Sequence, residues 1–301
     1  MAKSTRKGDY LSWWLKRINV LKGFKDEASQ LYQATKVAYS PRSWALLKLS
    51  ILSYYVDVYT NIIKAIFPHT YYLDIFAGPG LNTIRNGTDV VFGSPLIADK
   101  IPRSNKKFDK IILIEKKPIY AEALQKLLPN AIVINQDVNE GGLDTAFTKF
   151  SSTRSTPFLA FVDPEGLQNE WKTMEKLLER WSDVIINFQI SAVSRTAGLS
   201  TGSETLTKFF GTDSWKECKD PNDYLDLYLQ QIKKYKEIAI PIKVQGVGGF
   251  YYYIIVAIRR TKGNQKWINA ILTAKENIEK ANYRDVQRFL EIYKGEQKTL
   301  F

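Results

Sequence analysis

The sequence holds a single cysteine, Cys218, and a single histidine, His69, and these scarcities close several chemistries at once. One thiol makes neither an internal disulfide framework nor a Cys-cluster zinc or iron–sulfur site, since each needs several thiolates. One imidazole builds no His-based metal site, and His69 follows Pro68 at what reads as a helix end, a poor place for a Ser-His-Asp triad. No metal is expected. Long apolar runs are missing too. Nothing approaches the ~18 to 20 uninterrupted apolar residues of a membrane span, and the opening stretch MAKSTRKGDYLSWWLKR carries no apolar signal-peptide core. A soluble, cytoplasmic protein is expected, with no membrane partner. Internal repeats and low-complexity tracts are also absent.

What is present in excess is positive charge: 43 Lys plus Arg stand against 31 Asp plus Glu, a net +12, on a chain that is 45% apolar. Such a chain of 301 residues buries a sizeable core as one large domain or a domain with an appendage. The charge favours a polyanionic partner, a statement about association and not about chemistry. Within residues 1–25 the cations are interleaved with Trp13, Trp14 and Phe24. Two readings follow: an arm whose cations meet phosphates while its rings stack on bases, or a segment whose tryptophans pack onto the body.

From Ser40-Pro41, an N-cap followed by a first-turn proline, apolar residues recur at three- and four-residue steps to Phe67, so a long helix is expected over 40–67. Beyond it, β-rich runs at 71–75, 110–115, 131–135, 157–163 and 183–190 alternate with helical segments near 94–100, 118–128, 142–150 and 168–181. That alternation predicts parallel strands with crossover helices. A Ser/Thr/Gly-rich loop is expected at 191–203, then helices near 204–210 and 221–235, a hairpin turning at Gly248-Gly249, and a last helix over 277–294. The fold class is thus α/β, a doubly wound Rossmann-like sheet of about seven strands with the last antiparallel. The domain division is 1–69, a basic arm and helical extension, and 70–301, the sheet domain.

The strongest motif is Asp74-Ile-Phe-Ala-Gly78-Pro-Gly80, at the carboxyl end of the first strand, where open α/β sheets bind ligands. It is neither a G-x-G-x-x-G fingerprint nor a Walker A loop. Three more acids fall at successive strand ends. Glu115 is placed to accept from both ribose hydroxyls of a nucleoside, Asp137 to accept from an adenine amino group, and Asp163-Pro164 to face a second ligand at the switch point. Asp74, with Phe76, Gly78 and Gly80 beside it, completes the expected cofactor site. Residues 81–92 form a loop at its mouth, read either as a lid or as a surface insertion.

This pattern resembles class I S-adenosylmethionine-dependent methyltransferases over roughly residues 70–260, and LDIFAGPG resembles motif I of the base-amino methyltransferases. A narrower resemblance, carried by YYLDIFAGPG, GSPLIA and FVDPEGLQ, is to the three-Cys-motif partner protein family. The resemblance implies S-adenosyl-L-methionine as cofactor and methyl transfer, with Asp163 or the Pro164 carbonyl accepting a hydrogen bond from an exocyclic amine. The charge and the flavour of motif I point to a nucleic-acid base, RNA or DNA, as acceptor, with Glu165 and Arg195 on the substrate side. Yet Asp163-Pro-Glu-Gly166 lacks the second proline and the aromatic ring that adenine-amino enzymes carry after Asp-Pro or Asn-Pro. The alternatives are a methyltransferase-fold partner module without turnover and, third, a methyltransferase acting on a small molecule or protein. Cys218 lies far from the fourth-strand site that a cytosine-C5 mechanism requires, and an ordinary surface thiol is expected.

Overall fold

The computed structural model describes residues 7–40, 45–84, 89–151, 156–246, 248, 250–261 and 265–296. Lys3, Arg6, Pro41, residues 85–88 within the 81–92 segment and Gly249 lie outside the described residues.

Helices α1 (Lys7–Lys22), α2 (Lys25–Thr35) and α3 (Ala45–Ile63) precede β1 (Tyr71–Asp74). Strands β2 (Leu81–Ile84) and β3 (Asp89–Phe92) form a separate antiparallel pair. The βα units follow: α4 (Ser94–Lys100), β4 (Lys110–Ile114), α5 (Pro118–Leu127), β5 (Ile132–Ile134), α6 (Gly142–Phe147), β6 (Phe158–Val162), α7 (Trp171–Leu178) and β7 (Ser182–Phe188). Then come α8 (Ile190–Ala197), α9 (Ser203–Phe210), α10 (Pro221–Lys233), β8 (Ile238–Gln245), β9 (Tyr251–Ile258), α11 (Gln265–Ile278) and α12 (Tyr283–Lys294). The main sheet has seven strands in the order β5-β4-β1-β6-β7-β9-β8, with β9 antiparallel to both neighbours and the other pairings parallel. This is the expected doubly wound, Rossmann-like sheet with its last strand antiparallel.

The central strands read as near-continuous apolar runs because both faces are covered: all five residues of β6 are buried. Alternate side chains serve two cores. Tyr72, Leu113, Leu159, Phe161 and Ile185 pack with α1, α3, α4, α11 and α12. Leu73, Ile112, Ala160, Val162 and Ile186 pack with α6, α7, α9 and α10.

The N-terminal segment belongs to the first of these cores. Trp14 is 1% exposed and stacks on Phe289 at 5.3 Å, while Trp13 meets Tyr54 edge-on. Its cations are used locally. Arg17 lies over the Trp13 and Tyr54 rings, Lys22 Nζ donates to the Ile292 carbonyl at 2.7 Å, and Lys25 pairs with Asp89 at 2.6 Å. Of the two readings, packing is the one the structure gives for Trp14.

Three expectations are corrected. Residues 81–84 and 89–92 of the 81–92 segment are the paired strands β2 and β3, not a free lid: Leu81, Ile84, Val90, Val91 and Phe92 are buried, and the Tyr293 hydroxyl donates to the Val90 carbonyl at 2.8 Å. The 191–203 loop is largely α8, because Ile190 and Val193 bury one turn apart beneath a Ser/Thr-rich surface that masked the period. The last helix, expected over 277–294, begins only at Tyr283, and residues 277–278 end α11. Asn282 and Asp285 form a reciprocal capping box that starts α12 anew, satisfying backbone donors that a continuous helix would have engaged. Among the described residues no helix is long and apolar enough to cross a membrane.

Candidate functional site

At the carboxyl ends of β1, β4, β5 and β6 lies a cleft of about 270 Å³, lined on its floor by residues 75–80 and on its sides by Glu115, Asp137, Asp163 and Glu165. Its floor is a turn that only glycine serves well. Gly78 and Gly80 have φ of +62° and +84°, the left-handed region that costs other residues conformational energy. A Cβ at Gly78 would meet nothing within 4 Å. It would stand in the open cleft, so glycine leaves room there for a ligand to approach the backbone.

Glu115 stands at the end of β4 with both carboxylate oxygens engaged: the Gly78 N–H donates to Oε2 and the Lys117 N–H to Oε1, each at 2.8 Å. Burial raises its pKa, while these two backbone donors act the other way. Each oxygen retains acceptor capacity for a ligand hydroxyl. The other three acids of the cleft are paired with lysines. Asp137 faces Lys116 at 3.6 Å, Glu165 faces Lys117 at 3.5 Å, and Asp163 forms an ion pair with Lys48. Four carboxylates and three lysines line the cleft, an excess of one negative charge. Glu115 is the carboxylate left without a lysine ion pair.

Asp74 is placed differently from the other acids. It is wholly buried and does not line the cleft. Its carboxyl accepts from the Tyr72 hydroxyl and the Phe76 N–H, both at 3.2 Å. Burial above all, with Asp163 nearby, pushes its pKa up to about 7, against the opposing hydrogen bonds from Ser94, Phe76 and Tyr72. Asp74 thus shapes the turn from beneath, through Phe76, which itself lines the cleft.

At the far end of the cleft the Asp163-Pro164 turn is held by the strand beside it. Asn187 Nδ2 donates to Asp163 Oδ1 and Gln189 Nε2 donates to the Pro164 carbonyl, each at 2.7 Å. Gly166 takes φ +91° to complete the turn. Pro164 is not among the cleft-lining residues, and Arg195 is exposed on α8, away from the cleft. The thiol of Cys218 is half-buried, and burial and the neighbouring Asp223, Glu217 and Asp220 push its pKa up. Lys216 and Lys219 therefore do not activate it.

Four lining residues come from before β1, namely Tyr39, Ala45, Lys48 and Leu49, and the two polar ones, Tyr39 and Lys48, had no place in the sequence reading. Tyr39 is tied to the hairpin, its N–H donating to the Leu81 carbonyl at 2.9 Å and its own carbonyl accepting from Thr83 at 2.8 Å. Burial, then the nearby carboxylates of Glu165 and Asp163, raise its pKa to about 12. Lys48 projects from α3. The available signal for Lys48 was its isolation, a single cation in the stretch ALLKLSIL, whose other members are buried.

No protein-family model matches the sequence, and no curated protein matches it. Solved structures of similar form exist. Protein LPL1258 from Legionella pneumophila is 12% identical, with 76% of this chain and 92% of that chain aligned at a TM-score of 0.46. The plantazolicin methyltransferase BpumL, crystallised with SAH, is 15% identical over 89% of this chain and 95% of that one, at a TM-score of 0.35. A putative methyltransferase, yhhF from Escherichia coli, is 15% identical over 68% and 86%, at 0.33. All three scores fall below 0.5, and the fold assignment rests on the strand order and the crossovers.

Proposed function

We propose that the cleft binds S-adenosyl-L-methionine and that the protein transfers its methyl group to a nucleic-acid base. The observation that carries this reading is Glu115. It is a carboxylate fixed by two backbone donors, free of a lysine ion pair and set beside a glycine turn with room for a nucleoside. The excess of negative charge in the cleft suits a ligand with a net positive charge. Asp137, just beyond β5, would accept from an adenine amino group. Bound there, the cofactor would supply an electrophilic methyl on sulfur. Asp163 would then accept a hydrogen bond from the acceptor's N–H and hold the nitrogen lone pair in line, a contribution of positioning.

The nucleic-acid acceptor is supported by the net charge of +12. The narrower likeness to the three-Cys-motif partner family, and the engagement of Asp163 and Pro164 by Lys48, Asn187 and Gln189, favour a second reading, a binding module without turnover. Calorimetry with S-adenosylhomocysteine tests the cofactor. Labelled methyl groups offered with RNA, DNA, protein and small-molecule pools test the acceptor. Binding without transfer to any pool selects the module, and absence of binding removes both readings.

A further inference from the structure

A second cavity, also of about 270 Å³, opens at the opposite ends of the strands from the cleft and shares no lining residue with it. It lies where β6 and β7 begin, against the end of α3 and the start of α11. Four of its lining side chains are rings. Phe67 meets Trp181 edge-on at 5.2 Å and 87°, and Tyr59 meets Trp267 at 5.9 Å and 72°. Ring faces carry the negative part of the aromatic quadrupole, and enclosures built from several rings attract organic cations.

Asp183 is the one carboxylate on the wall among the described residues. The cation nearest to it in role is engaged elsewhere. Lys236 is wholly buried and gives its three ammonium donors to the carbonyls of Arg180 and Ser182, each at 2.7 Å, and to Ser182 Oγ at 3.2 Å. It acts on Asp183 through charge alone, and burial pushes the Asp183 carboxyl up in pKa in spite of it, the mark of a carboxylate short of solvation. Arg259, the cation on the wall, donates from Nη2 to the Glu179 carbonyl at 2.7 Å. One further polar atom lacks a partner. The indole N–H of Trp267, a residue 1% exposed, makes no hydrogen bond of ordinary geometry, and a buried donor left in that state is costly. An anion in this cavity would face Asp183, and a purely apolar guest would leave both Asp183 and the Trp267 N–H unmet.

We propose that this cavity is a second ligand site, for a small free organic ammonium ion that carries alkyl groups and an oxygen acceptor, an alkylated amino alcohol in class. The ammonium would lie against Asp183 among the four rings, and the oxygen would accept from Trp267 Nε1. The site is independent of the methyltransferase reading, because it takes no residue from the cleft.

The test uses the full chain at pH 8, with and without saturating S-adenosylhomocysteine, and three probes of one shape: choline, a cation; 3,3-dimethylbutan-1-ol, its neutral carbon isostere; and 3,3-dimethylbutanoate, an anion. Calorimetry or ligand-observed magnetic resonance reads the affinities. Choline should bind roughly fivefold or more tightly than the alcohol, and the butanoate should not bind. Asp183→Asn should bring choline down to the level of the alcohol. Trp181→Leu keeps an apolar wall and removes a partly exposed ring, so choline should weaken by roughly two- to thirtyfold, the range of cation–π contacts, with the alcohol little changed. That variant also carries the test if Asp183→Asn does not fold beside the buried Lys236. S-adenosylhomocysteine should leave the affinity for choline unchanged, whether or not it binds in the cleft. Choline bound no more tightly than the alcohol, a preference that survives in both variants, or choline displaced by S-adenosylhomocysteine overturns the proposal. Sedimentation with phosphatidylcholine vesicles in the absence of binding to free choline overturns it as well, by giving the cavity to a lipid headgroup.

Discussion

Gly93 lies with its backbone directly against that of Gly80: its N–H donates to the Gly80 carbonyl at 2.8 Å, and a Cβ at position 93 would come within 2.9 Å of that carbonyl's carbon and oxygen. This contact ties the start of α4 to the turn that floors the cleft.

Gly93→Ala should consequently separate the two backbones and loosen the turn. A loss of about 1–3 kcal/mol in stability is expected, the scale of local backbone strain, together with weaker binding of S-adenosylhomocysteine. Urea unfolding and calorimetry on the same preparation measure both. An alanine variant equal to the parent in each would mean that α4 can slide to accommodate the methyl group.

Glu115→Gln preserves shape while removing the charge and half of the acceptor capacity. Hydrogen bonds to charged groups are worth about 1.5–3 kcal/mol, so affinity for S-adenosylhomocysteine should fall by roughly ten- to a hundredfold, with some loss of stability because the amide NH2 then faces one of the two backbone donors. Unchanged affinity in the folded variant would take Glu115 out of the binding site.

Asp74 makes a pH-dependent liability. Its folded-state pKa of about 7 stands above the ordinary carboxylate value, so between roughly pH 4 and pH 7 the folded protein binds the proton that the unfolded chain has released. Stability from this group therefore falls as pH rises through that window, and the full penalty applies above it. At ~1.4 kcal/mol per pH unit of displacement, the liability reaches several kcal/mol. Asp74→Asn should accordingly raise the melting temperature at pH 8 by several degrees relative to the parent and gain little at pH 4. A variant less stable than the parent at both values would show that the charged form is the one the turn needs.

Trp14→Ala should cost about 3–5 kcal/mol, the usual penalty for truncating a large buried ring, as read by chemical denaturation. Trp14→Phe, which refills part of the site, should cost much less. A negligible loss on alanine substitution would contradict the packing of α1 on α12.

The parts of this molecule that the sequence made legible are those governed by short-range rules. The strands alternate with helices because each buried strand is a compact apolar run between polar turns, and the capped helices announce themselves with Gly93-Ser94-Pro95 or Asp220-Pro221. The acids Glu115, Asp137 and Asp163 could be placed because a strand end fixes where its next residue goes. Asp74 shows the limit of that logic: it occupies the last position of β1, inside the sheet, and its side chain faces the core and not the cleft. The hairpin at 81–92 was missed because its apolar residues meet α2 and α12, partners distant in sequence. Tyr39 and Lys48 were missed for the same reason, since nothing near them in the chain says that they line the cleft.

The clamp that α12 places on the hairpin has a consequence for biosynthesis. Val90, on the strand that leads into Gly93, is held by the hydroxyl of Tyr293, and the end of α1 is held by the carbonyl of Ile292. A nascent chain can therefore have its whole sheet translated and still lack the contact that holds β3 in place. The hairpin strands should therefore gain their hold late, when residues 283–294 join the body of the protein.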